Sequence, residues 1–103
     1  MVVDPKVISI VKAFKKDASK MIKVDAVYLF GSSARRERQE YSDIDVAVVS
    51  PDFTGFSFMD RKKLGPIVLK HDLSIELHPF RRKDFTRSNP FVWEIIKTGI
   101  KVK

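Results

Sequence analysis

Residues 31–45 read Gly31-Ser32-Ser33-Ala34-Arg35-Arg36-Glu37-Arg38-Gln39-Glu40-Tyr41-Ser42-Asp43-Ile44-Asp45. The stretch starts where one apolar run, 26–30, stops, and it ends where a second, reaching Val49, begins. Gly31 after a strand lets the backbone come close to a ligand with no Cβ in the way. A helix opening at Ser32 points free N–H groups and the positive end of its dipole at whatever sits there, which suits phosphate. The Ser32 hydroxyl adds one more donor. Asp43 and Asp45 stand at i and i+2 of the next strand and so share a face. Two carboxylates that close repel unless a cation lies between them, and Mg2+ takes carboxylate oxygens together with substrate phosphates. Each element alone is commonplace. Gly-Ser also makes plain strand–turn–helix junctions, and Asp-x-Asp also marks solvated strand ends. Their joint occurrence at the ends of two apolar strands points to a polyphosphate and a divalent ion.

Outward from this stretch, the chain reads as alternating helices and strands. Asp4-Pro5 is a helix start, an N-cap acid followed by proline at the first helical position. Val7, Ile8, Val11, Phe14, Ala18, Met21 and Ile22 recur at helical spacing and predict an amphipathic helix over 5–22. Residues 25–30 form a short buried strand, 32–38 a short helix, 39–42 a polar loop and 43–49 a second strand. That strand is apolar on both faces beyond the aspartates, as when both are covered. Ser57 and Asp60 resemble a capping pair for a helix over 58–70, which Gly65-Pro66 should kink or split. Residues 72–78 alternate, with Leu73, Ile75 and Leu77 on one face and Asp72, Ser74, Glu76 and His78 on the other, and Pro79 ends the strand. Residues 82–87 make a short helical turn. Asn89-Pro90 starts a last helix that Gly99 closes. The expectation is one domain over 1–103: a small sheet of three strands with flanking helices.

Composition narrows the function classes. A hydrophobic share of 44% argues against disorder. With no cysteine, disulfides and thiolate metal sites are excluded. The longest uninterrupted apolar run, 26–30, is far too short to span a bilayer, and the N-terminus has no signal-peptide pattern, so a soluble cytoplasmic protein is expected. The net charge of +7 suits either a well-solvated surface or attraction to a polyanion. Its basic residues are spread along the chain, so charge alone does not support a nucleic-acid binder.

A third carboxylate is expected, as a further metal ligand or as the base that takes a hydroxyl proton. Glu76 is the first candidate, because Ile75 and Leu77 anchor its strand, and Asp72 on the same face is the alternative. Arg35, Arg36 and Arg38 either contact phosphate or are simply solvated, and Arg36 and Arg38 read as solvated. His71 and His78 lack metal-ligand spacing to other histidines and read as surface or packing residues. Tyr28, Phe30, Phe80 and Trp93 read as core. Phe53, Phe56 and Phe58 either cover the core or form a partner surface.

Gly31-Ser32-x-Ala34-Arg35 followed by Ser42-Asp43-Ile44-Asp45 resembles the signature of the minimal nucleotidyltransferases, within the DNA polymerase β superfamily. The resemblance implies an α/β fold of the polymerase β type, with a small mixed β-sheet and flanking helices. It also implies Mg2+ (or Mn2+) and ATP bound through Gly31, Ser32, Arg35, Asp43 and Asp45, with Glu76 in the place of the third catalytic and metal-binding acid. The family often has glycine where this chain has Arg36, and often aspartate where it has Glu76. Many minimal members are similar to antitoxins that act beside a helical HEPN-type toxin, some by transferring AMP from ATP to it. The expected activity is therefore AMP transfer to a hydroxyl of a partner protein, within a hetero- or homo-oligomer. The alternative is a non-catalytic nucleotide-binding module that neutralises a partner by association.

Overall fold

The computed structural model describes residues 4–31, 43–71 and 74–103. Helix α1 (Pro5–Met21) begins as expected, with the Asp4 side chain accepting from the Lys6 N–H at 2.9 Å. Its apolar stripe buries Val7, Val11, Phe14 and Ala18, while Met21, in the last turn, is left exposed. Strand β1 (Ala26–Phe30) pairs antiparallel with β2 (Ile44–Ser50), from Ala26 opposite Val49 to Phe30 opposite Asp45. Helix α2 (Ser57–His71) then crosses over to β3 (Ile75–Arg81), which runs parallel to β2 with Asp45 opposite Glu76. A 3-10 turn at Arg82–Asp84 leads towards α3 (Pro90–Thr98). Asn89 caps α3 by accepting from the Phe91 and Val92 N–H groups. The predicted helix at 32–38 and loop at 39–42 lie outside the described residues, as does Asp72.

The result is the expected α/β class, a mixed sheet with flanking helices, but with four strands in the order β3-β2-β1-β4 rather than three. The fourth, β4 (Ile100–Lys101), pairs antiparallel with β1. Gly99 ends α3 for a different reason from the one its sequence position implies. Its φ is −82°, not left-handed; a Cβ there would press on the carbonyl oxygens of Ile95 and Leu29. Glycine is what lets the chain turn from α3 directly onto β1.

Three further expectations are corrected. Pro79 does not end β3, which continues to Arg81. The Ile44 N–H donates to the Ser74 carbonyl, so in a parallel ladder residues 76, 78 and 80 face β2, while 75, 77, 79 and 81 turn outward. β3 is an edge strand, and Pro79 lacks its N–H on the side that bonds no strand. Helix α2 is not split at Gly65-Pro66 but runs through it as one element. Asp60 does not act as a capping partner of Ser57. It is buried and reaches back to accept from the Thr54 N–H and hydroxyl and the Gly55 N–H, which ties down the preceding loop.

The main core lies between the sheet and α1/α2, where Val27, Leu29, Ile44, Val46 and Val48 meet Phe14, Leu64 and Phe53. A smaller cluster of Phe30, Ala47 and Ile95, flanked by Tyr28, Phe80 and Phe85, lies on the α3 side. Of the three loop aromatics, Phe53 joins the core, whereas Phe56 and Phe58 are exposed at the start of α2. Trp93, expected in the core, is 39% exposed on α3, with the Arg87 and Lys97 cations over its ring.

Candidate active site

The register between β2 and β3 sets Asp45 beside Glu76, and the two-residue period puts His78 on the same face as Glu76. One donor atom from each of these three side chains lies within 4.8 Å of the others. His78 Nε2 is 3.2 Å from Asp45 Oδ1. The imidazole is held edge-on between Phe30, at 4.9 Å between ring centroids, and Phe91, at 6.1 Å. Asp45 and His78 are a quarter exposed or less, and Glu76 is exposed, so the cluster sits at the rim of the sheet and opens to solvent.

Gly31 closes the site from the β1 side. Its φ is +74°, a left-handed conformation that side chains with a Cβ rarely adopt, and a Cβ built there would overlap Asp45 Oδ2. Both constraints have one result: the backbone at the end of β1 lies directly against the Asp45 carboxylate. Asp43 is exposed, one residue before β2, and is not part of the three-residue group. Ser32 and Arg35 lie outside the described residues.

The donor set fits a divalent cation. Six ligands at about 2.0–2.2 Å place neighbouring donors roughly 3 Å apart and opposite ones roughly 4 Å apart. Asp45 Oδ1 and His78 Nε2, at 3.2 Å, match two neighbouring ligands, and the Glu76 donor lies within 4.8 Å of both. The sequence offers His78 no histidine or cysteine partner at metal-ligand spacing, so it reads as a surface or packing residue; it does pack against Phe30 and Phe91, and it also stands within the cluster. The usable signal was the strand period: Glu76 and His78 share one face of an alternating segment, and that face also carries the acid expected at the site. A cavity of about 380 Å³ lies between α2 and β3, lined by Arg61, Gly65, Val68, Leu69 and the strand residues Ile75–Leu77. Glu76 therefore borders both the cluster and this cavity.

A mixed sheet with helices on both faces, and acids at the adjoining ends of two parallel strands, defines a class as well as a shape. Residues 9–99 match the nucleotidyltransferase domain, and the chain belongs to that family. It is 32% identical over 102 residues to the Methanocaldococcus jannaschii protein named "Putative protein adenylyltransferase MJ0141", an alignment covering 93% of this chain and 98% of that one. The fold is shared with a crystal structure described as a "putative nucleotidyltransferase" from Sulfolobus solfataricus (TM-score 0.69, 15% identity, 93% of this chain and 78% of that one). It is also shared with a chain of a toxin-antitoxin crystal structure with AMP-PNP (TM-score 0.64, 18% identity, 93% and 72%).

Proposed function

We propose that this nucleotidyltransferase transfers AMP from ATP to a hydroxyl group of a partner protein, and that the partner is a helical HEPN-type toxin neutralised by the modification. The observation that carries the reading is the side-by-side placement of Asp45 and Glu76, with Glu76 also bordering a largely apolar cavity. The 32% identity to a protein named as an adenylyltransferase supports the choice of AMP, and the toxin-antitoxin neighbour supports the choice of partner.

Asp45 and Glu76 would hold Mg2+ or Mn2+, with His78 beside them and Asp43, one residue before β2, as the further acid. When bound, the ion neutralises charge on the phosphates and on the departing pyrophosphate. The remaining work falls to the chain. Gly31 brings backbone against the site, and Ser32 and Arg35 bind the outer phosphates, in keeping with the sequence pattern. An acceptor hydroxyl enters on the face of the sheet that carries Asp45 and Glu76, and its oxygen attacks the α-phosphorus. The bond from that phosphorus to the bridging oxygen breaks, pyrophosphate leaves, and the hydroxyl proton passes to Glu76. Residues 1–103 act as one domain in this scheme, in the cytoplasm where ATP is available. No described helix is long and apolar enough to cross a membrane.

The test is incubation of the purified chain with ATP labelled at the α-phosphate, a divalent cation and proteins co-purified from the host. Label on a small helical protein, lost with Asp45→Asn, is the expected result. Tight ATP binding and partner neutralisation with no label transferred would replace transfer with neutralisation by association.

A further inference from the structure

The reading above leaves His78 without a role, yet its ring is the best-fixed donor in the cluster. Phe30 meets it at 65° between planes and Phe91 at 64°, and only about a fifth of the side chain is exposed. The packing sets Nε2 against Asp45 Oδ1 at 3.2 Å, close to the spacing of two neighbouring ligands on one ion. Mg2+ binds oxygen donors and keeps its waters, whereas imidazole nitrogen suits first-row transition ions. A nitrogen locked at that distance therefore favours an ion that accepts imidazole.

We propose that His78 Nε2 is a direct ligand, alongside Asp45 and Glu76, and that it tunes this site to Mn2+ or Co2+ over Mg2+. The inference rests on the metal-site reading given above and adds the donor and the ion preference. The competing role for His78 is to donate a hydrogen bond that orients Asp45, as partners of metal-binding carboxylates do. Glutamine separates the two roles, because it keeps a hydrogen-bond donor on a side chain of similar reach but has no imidazole nitrogen.

The experiment uses the full chain with metal ion alone, so it does not depend on catalysis. Binding of Mn2+, Co2+ and Mg2+ is titrated for wild type, His78→Gln, His78→Ala and Asp45→Asn, with thermal melting to confirm folding. Electron spin-echo spectra of the Mn2+-loaded wild type then report whether nitrogen is bonded to the ion. Expected are nitrogen modulation in the wild type and tighter binding of Mn2+ than of Mg2+. Both His78 variants should lose about 10- to 100-fold in Mn2+ affinity, in the range set by disturbing a metal site's support, with Mg2+ affinity nearly unchanged. Absence of nitrogen modulation, or wild-type Mn2+ affinity in His78→Gln, overturns the inference and leaves the metal site standing. Wild-type affinity for every ion in Asp45→Asn would overturn the metal site itself. If neither His78 variant folds, the wild-type spectrum decides alone.

Discussion

Beneath α1 and α2, the sheet presents Val27, Leu29, Ile44, Val46 and Val48; towards α3, the intervening residues include Tyr28, Phe30, Asp45, Ala47 and, from β3, His78. The strands are the same and only the parity differs. Helices of 17 and 15 residues cover the first face, and a large apolar cluster fills the space between. A helix of nine residues covers the second, and its contacts are largely aromatic rings. Among the described residues, the shorter cover leaves the N-terminal ends of β2 and β3 open on that side. Carboxylates are tolerated there because water, and on our proposal a cation, can reach them. On our proposal, then, stability is concentrated on one face and chemistry on the other, and neighbouring residues of β2 serve opposite ends.

That division can be broken by substitution. The largest effect is expected at Glu76. Glu76→Gln should slow single-turnover transfer by about 10²- to 10⁴-fold, the usual worth of a general base, while calorimetry finds most of the ATP affinity kept. An unchanged rate would move the base to Asp72 or to water. Next comes a pair of adjacent residues. Ile44→Ala should lose about 2–5 kcal/mol of stability in urea unfolding, as expected for a fully buried aliphatic side chain. Asp45→Asn should leave stability nearly intact and abolish the divalent-cation dependence of ATP binding. If both variants behave alike in both assays, the faces are not separable. Gly31→Ala belongs to both categories. The left-handed backbone should cost about 1–2 kcal/mol, and the new methyl should push Asp45 aside and weaken metal binding as well.

The smallest effect is expected at Asp17, on the packed side. His71 and Lys70 from α2, with Lys20, surround its carboxylate and hold it well below the usual carboxylate range, the His71 contact at 2.6 Å being the strongest cause. A carboxyl depressed on folding contributes stability above its unfolded value and loses it as pH falls through the folded one. Wild type should therefore be slightly more stable than Asp17→Asn at neutral pH, and the gap should shrink steadily in acid unfolding below about pH 4. A gap independent of pH would assign the effect to packing.

The long elements were legible because their signals are local. Asp4-Pro5 and Asn89-Pro90 each marked a helix start through cap chemistry, and the 3.6 period of Val7, Val11, Phe14 and Ala18 marked the buried stripe. Asp45 and Glu76 were legible as acids on strands. Their adjacency was not, since a parallel register across a 15-residue crossover helix leaves no trace in spacing. The same holds for β4, two residues long and defined only by its partner, and for Pro79, whose tolerance depends on which edge of β3 lacks a neighbour. His71 and His78 looked alike in sequence. One clamps two helices and the other sits among acids, a difference made entirely by tertiary contacts.

Pro79 carries a consequence for the protein's behaviour at high concentration. Along the outer side of β3, among the described residues, no strand satisfies the backbone, and this is the kind of margin on which a second molecule can begin to stack. At Pro79 an incoming strand meets a residue with no N–H to offer and a ring projecting where its own backbone must lie. Replacing Pro79 with valine would complete the row of donors on that margin without disturbing a bond inside the fold. Light scattering over days of storage should then show larger particles for the valine variant than for the parent, at equal melting temperature.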